Sequence, residues 1–230
     1  MPTEPEPSAW VIPPPSPDAD DLVAVGADLE PGTVLQAYRR GLFPMPAGGV
    51  HDRGAPASWW SPRDRGVLPL DGLRVSRSLR QSVRRLHTTT NHAFEHVITR
   101  CAELSRHGAW ISQDIVDAYI RLHRLGWSHS VETWDDDGGL VGGLYGIAVG
   151  GAFAGESMYH EPGAAGRDAS KVALVELIRL LRADSDPRRL LDVQWQTAHL
   201  ASLGVIEIPR AEYLWRLGQA LAAPLPPAFA

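Results

Sequence analysis

The chain has 230 residues, 44% hydrophobic and 21% charged, which is enough apolar material for a full core and rules out a disordered chain. No apolar run approaches the ~20 residues needed to span a bilayer, and a net charge of −5 argues against indiscriminate coating of nucleic acid while leaving room for a local basic face. The single cysteine, Cys101, excludes an internal disulfide and a cysteine-based zinc site, and the start MPTEPEPSAWVIPPPSP lacks the basic-then-apolar order of a secretory signal, so a cytoplasmic protein is expected.

Residues 1–20 hold seven prolines, each without an N–H donor, and are expected to be a tail with no fixed fold. PGTVLQAYRR (31–40) predicts a short helix, with Pro31 in its first turn and Gly41 as its stop. The following 41–70 is too rich in Gly and Pro for long elements and reads as a functional loop. In SRSLRQSVRRL (76–86), Leu79, Val83 and Leu86 form one stripe, with Arg77, Arg80, Arg84 and Arg85 largely off it: an amphipathic helix with a basic outer side. Further helices are expected over 91–104 and 113–125, the second capped by Ser112 and stopped by Gly126.

After Gly126 the period changes from helix to strand. SHSVETW, LVGGLYGIAVG and GAFAGESMYH read as a three-stranded meander, with a turn at Asp136, Asp137 and Gly138 between the first two. A strong helix over 170–184 follows, with Ser170 as cap and Val172, Val175, Ile178 and Leu181 on one face. A strand at 190–196 and short helices near 198–203 and 210–221 complete an α+β pattern.

The strand LLDVQWQ sets a problem. Leu191, Val193 and Trp195 alternate with Asp192, Gln194 and Gln196, and a buried carboxylate or amide must find partners or cost several kcal/mol, about 1–3 for the amide and more for the charge. Simple explanations are weak. A triad of Asp192, His199 and a serine lacks a GxSxG elbow, and His92 with His96 lacks a third metal ligand, so no metal is assigned. VGGLYGIAVGG sits in strands rather than between strand and helix, where a phosphate loop belongs, so its glycines are read as permitting close approach. Glu156 is a second acid at the end of an otherwise apolar strand.

The ordered series AYRRGLFPM, WWSPRDRGVL, SRSLR, GAWIS, AYIRLHRLGWSHSVETW, LVGGLYGIAVGGAFAGESM, ASKVAL, LLDVQ and TAHLASLGVIEIPRAEYL, running from Ala24 to Tyr213, resembles the leucyl/phenylalanyl-tRNA–protein transferases. The resemblance implies an enzyme that moves leucine or phenylalanine, and less readily methionine, from aminoacyl-tRNA to the N-terminal Arg or Lys of acceptor proteins, marking them for N-degron proteolysis. It also implies a GNAT-like catalytic domain over 73–230 beside a smaller N-terminal α/β domain over 21–72. No cofactor and no membrane are called for, and a monomer is expected.

By the same resemblance, Asp192 and Gln194 are the catalytic acid and amide that orient the incoming amine and help remove its proton. An amide does not titrate usefully, so Gln194 positions through its carbonyl oxygen and Asp192 takes an electrostatic or relay role, with the proton going to Asp192 or to a ribose hydroxyl of the tRNA. Glu156 is expected by the donor adenosine and acceptor, Trp110 on the terminal adenosine, and Phe153, Leu144, Leu174 and Leu177 around the donor side chain. Arg74, Arg77, Arg80, Arg84 and Arg85 are the patch expected to hold tRNA phosphates. Three positions depart from the family pattern: Met45 stands where tryptophan commonly follows GLFP or GIFP, Leu144 replaces a frequent methionine, and the loop 160–168 is longer. An acyl-CoA enzyme of the same fold would carry Q/R-x-x-G-x-G/A before the 170–184 helix, where this chain has GRDAS. A non-catalytic tRNA-binding module would leave Asp192 beside Gln194 without a purpose.

Overall fold

The computed structural model describes residues 1–48, 50–103 and 110–230. β1 (Leu22–Val25), β2 (Phe43–Pro46) and β3 (Ala57–Trp60) form a small antiparallel sheet in the order β1-β3-β2, with α1 (Pro31–Arg39) between β1 and β2 in the chain. β4 (Asp64–Val67), α2 (Arg77–Arg85), β5 (His87–Thr90), α3 (Phe94–Cys101), α4 (Gln113–Arg124), β6 (Ser128–Trp134), β7 (Leu140–Val149) and β8 (Ala152–His160) come next. The rest is α5 (Ala169–Leu181), β9 (Leu190–Gln194), α6 (Ala198–Leu203), β10 (Ile206–Pro209) and α7 (Arg210–Leu221). The seven strands of the larger sheet run β10-β4-β9-β8-β7-β6-β5, and only β8 and β9 are parallel neighbours, joined by the α5 crossover. The protein is thus α+β with two sheets.

Alternation along the central strand divides the core. Tyr145, Ile147 and Val149 of β7 meet α3, α4 and α1 on one face through Val97, Ile98, Ile115, Tyr119 and Val34. Leu144 and Ala148 meet Leu174, Leu177 and Leu181 of α5 on the other. The glycine run in β7 allows close packing: a Cβ on Gly142 would stand 2.6 Å from that of Ala169, at the start of α5. Local signals set the helix ends as expected in α2 and α4, where Ser76 accepts from the Leu79 amide and Ser112 from that of Ile115. Gly41, Gly126 and Gly138 all have positive φ.

Several expectations need correction. α5 is capped not by Ser170, which is buried in its first turn, but by Asp168 at φ 65°, whose carboxylate is turned to Lys171 and the Ser82 hydroxyl. Val83 is exposed, so the buried side of α2 rests on Leu79 and Ser82, with Leu86 just beyond its end. His92 precedes α3 instead of sharing it with His96, and among the described residues no three His, Cys, Asp or Glu are grouped to hold a metal. The expected end of that helix, Leu104, and the first two residues of GAWIS lie outside the described residues.

The proline-rich start has no helix or strand, yet it is seated. Ile12 is buried, the Thr3 amide bonds the Leu125 carbonyl, Glu4 pairs with Arg39, and Arg210 donates to the carbonyls of Ser16, Ala19 and Asp20. Proline removes donors but keeps acceptors, and the arginines of the folded body supply what is missing. The loop 41–70 holds three short strands, of which β4 joins the larger sheet between β9 and β10 although it falls within the 21–72 unit. Among the described residues no helix is long and apolar enough to cross a membrane.

Candidate active site

β8 and β9 are paired at Ala152↔Leu190, Phe153↔Leu191 and Ala154↔Asp192 and nowhere beyond. β8 continues to His160 along β7, while β9 ends at Gln194. The parted strands open a cavity of about 400 Å³ whose apolar wall is Leu68, Leu144, Leu174, Leu177, Leu191 and Val193. Glu156 and Gln194 supply its polar side, with Thr197 and His199 of the α6 start also on the wall.

One backbone angle decides which side chains face this space. Gln194 has φ 60°, a left-handed conformation that costs a non-glycine residue on the order of 1 kcal/mol or more. Leu191 and Val193 belong to the α5 side of the sheet, and strict alternation would put Gln194 opposite them with Asp192. The turn instead brings Gln194 into the cavity and sends Trp195 to the other side, where its ring meets Phe43 at 4.9 Å and Trp60 at 5.8 Å edge-on. Two contacts hold the turn. The Gln194 N–H donates to Asp192 Oδ1 at 2.9 Å. Across the ladder stands Gly66, where a Cβ would be 3.0 Å from the Gln196 nitrogen and the Trp195 carbonyl carbon.

Asp192 therefore lies behind the cavity wall. Arg65 on β4, fully buried, grips its carboxylate with two bonds, Nε to Oδ1 at 2.8 Å and Nη2 to Oδ2 at 2.6 Å. The Tyr213 hydroxyl donates to Oδ2 at 3.0 Å, and Arg65 also donates to the Gly41 carbonyl at 3.2 Å. The guanidinium is layered between the rings of Phe43 and Tyr213, 4.9 and 4.3 Å from their centroids. Burial pulls its pKa down, but the charge and hydrogen bonds of Asp192, with Tyr213 and Glu156 beside it, together outweigh this and leave it raised. The carboxylate that the sequence left in need of a partner is thus fully paired.

Glu156 is in the opposite condition. Its Oε1 accepts from Gln194 Nε2 at 3.2 Å and its Oε2 from the Tyr119 hydroxyl at 3.3 Å, and that phenol is bonded to Tyr38. Burial pushes its pKa up to about 8, against the hydrogen bond from Tyr38 and with the charge of Asp192 adding to the rise. The two tyrosines are raised as well, first by burial and then by the Glu156 charge, so both stay neutral donors.

Of the residues expected at the site, Gln194, Glu156, Leu144, Leu174 and Leu177 meet on this cavity. Phe153 is fully buried in the apolar cluster behind it, tilted on Phe229. Met45 on β2 and Trp110 pack on the opposite cluster, the one that receives Trp195. Arg74, Arg77, Arg80, Arg84 and Arg85 are all exposed, and none makes an ion pair with a described residue. Sequence reasoning missed Arg65, Tyr213, Tyr38 and Tyr119. A buried Asp192 demanded a cation, but nothing local singled out Arg65 among the arginines.

Residues 67–218 match the family described as leucyl/phenylalanyl-tRNA protein transferase, and residues 27–63 match the N-terminal domain of that family. A leucyl/phenylalanyl-tRNA–protein transferase of Pseudoalteromonas atlantica is 46% identical over 212 residues, covering 90% of this chain and 86% of that protein. One from Anaeromyxobacter sp. (strain K) is 48% identical with the same coverages, and one from Tolumonas auensis 45% identical over 88% and 83%. A solved structure of L-PGS from Bacillus licheniformis aligns at a TM-score of 0.36 and 10% identity over 70% of this chain and 51% of that one, too distant to carry a fold assignment. With both domain profiles matched in order and relatives near half-identical along nine-tenths of its length, the chain belongs to the leucyl/phenylalanyl-tRNA–protein transferase family, a family of aminoacyltransferases.

Proposed function

We propose that the chain transfers leucine or phenylalanine, and less readily methionine, from aminoacyl-tRNA to the N-terminal Arg or Lys of acceptor proteins, marking them for N-degron proteolysis. The observation that carries this reading is an apolar cavity of about 400 Å³ edged by Glu156 and Gln194 in a member of this family. The donor is an activated ester, so the site has to place an amine, take one proton and steady an oxyanion. The amine nitrogen bonds to the ester carbonyl carbon, the bond to the terminal ribose oxygen breaks, and the proton lost by the amine is regained by that oxygen.

Gln194 gives its amide N–H to Glu156, which leaves its carbonyl oxygen to orient the amine. Glu156, at about 8, matches the ~8 of an α-amine, so a proton passes between them at little cost. Asp192 acts from behind the strand, where its carboxylate accepts the Gln194 N–H. Leu144, Leu174 and Leu177 take the donor side chain with Phe153 as backing, Trp110 is assigned to the terminal adenosine, and Met45 is assigned to the donor in place of the family's tryptophan. One methylene changes binding by only about 1–3 kcal/mol, which suits mixed use of Leu, Phe and Met. The five arginines around α2 hold the tRNA body through phosphates.

The meander, the α5 crossover and the parallel, parting β8 and β9 favour a GNAT-like reading of the larger sheet. Against coenzyme A stands the start of α5, where the chain reads GRDAS and lacks the glycine-rich loop that would cradle a pyrophosphate. We place the enzyme in the cytoplasm as a monomer working without metal or coenzyme. Purified protein with Leu-tRNA should label a peptide beginning with Arg and spare one beginning with Ala. Equal labelling, or none, rejects the acceptor assignment or the activity.

A further inference from the structure

We propose that Arg65 is a positioning residue, which through Asp192 holds the left-handed turn that delivers the Gln194 side chain to the cavity. This deepens the transferase reading and rests on it for its kinetic readout alone. The chain of contacts is continuous and short. Arg65 fixes both oxygens of Asp192 at 2.8 and 2.6 Å, and the same Oδ1 accepts the Gln194 N–H at 2.9 Å. Gln194 then reaches Glu156 at 3.2 Å.

Asp192 has no place on the cavity wall, so the value of its carboxylate to the reaction is to be an oriented acceptor for one backbone N–H. Arg65 supplies the orientation, because a bidentate guanidinium allows the carboxylate one rotation. It is itself fixed from the small-sheet side, by the Gly41 carbonyl and the ring of Phe43 on β2. The small sheet therefore sets the geometry of Gln194 although no residue of β1, β2 or β3 lines the cavity.

The distinguishing experiment pairs two substitutions. In Asp192→Asn an amide N–H₂ group is turned against the Arg65 donors, and kcat for Leu-tRNA should fall at least about tenfold with KM for the tRNA nearly unchanged. In Arg65→Met with Asp192→Asn the clash is gone, the asparagine oxygen is free to accept the Gln194 N–H, and kcat should recover most of the loss. A double variant as inactive as Asp192→Asn, while folded by circular dichroism, overturns the proposal, because the carboxylate charge is then needed for itself.

Amide hydrogen exchange at Gln194 supplies a readout independent of catalysis. Protection should be lost in Asp192→Ala and kept in the double variant. If the wild type transfers nothing, the function fails while this exchange pattern still decides the positioning. Unchanged protection in Asp192→Ala overturns it.

Discussion

The side-chain amide of Gln194 donates to Glu156 Oε1 at 3.2 Å across the gap where β9 has stopped pairing with β8. This contact joins two strands that the ladder no longer joins, and it places a raised carboxyl and a neutral amide on one edge of an apolar cavity.

The proton affinity of Glu156 makes stability depend on pH. Folding raises its pKa from 4.5 to about 8, so the folded state holds this proton more tightly than the unfolded chain. The resulting stabilisation is complete below about pH 4.5 and is lost as the pH rises toward 8. Glu156→Gln, which cannot ionise, should gain stability over the wild type at pH 9 relative to pH 5, by on the order of a few kcal/mol. Urea unfolding at the two pH values checks this, and an equal difference at both would show that burial does not raise the group.

Donor choice should follow the depth of the cavity. Leu174→Phe adds volume to the wall and should lower kcat/KM for Phe-tRNA more than for Leu-tRNA, by about tenfold in the ratio. A ratio that does not move would remove Leu174 from the donor pocket.

Binding of tRNA should be salt-dependent through α2. Replacing Arg77, Arg80 and Arg84 together by Gln should flatten the plot of log K against log salt by about 2–3, if each meets one phosphate. Filter binding across a salt series measures the slope, and kcat at saturating tRNA should stay near the wild-type value.

Gly66 has a steric duty. In Gly66→Ala the new Cβ would stand 3.0 Å from the Gln196 nitrogen and the Trp195 carbonyl carbon, backbone atoms that cannot swing away. A loss of about 1–3 kcal/mol is expected, together with reduced turnover as the Gln194 turn is pushed out of place. Thermal unfolding and single-turnover transfer measure the two effects, and a neutral variant would show that the turn is held by other contacts.

The sequence by itself determined the elements whose signals are local. Ser76 and Ser112 cap α2 and α4, Gly41 and Gly126 mark helix ends, and the meander from Ser128 to His160 follows from a period of two broken at Asp136–Gly138. Ordered motifs were enough to give the family and to name Glu156, Gln194 and the leucines that meet on the cavity.

Tertiary structure decided the rest. β5 and β10 are four-residue edge strands, too short to be announced by their pattern, and β4 enters the larger sheet only through partners far along the chain. Asp192 and Gln194 read as neighbours on one face, yet a single positive φ sends one behind the wall and the other into the cavity. The cation that makes Asp192 tolerable lies 127 residues away. Caps and periodicity act over a few residues and can be read locally, whereas ion pairs and ladder partners join residues that only the folded chain brings together.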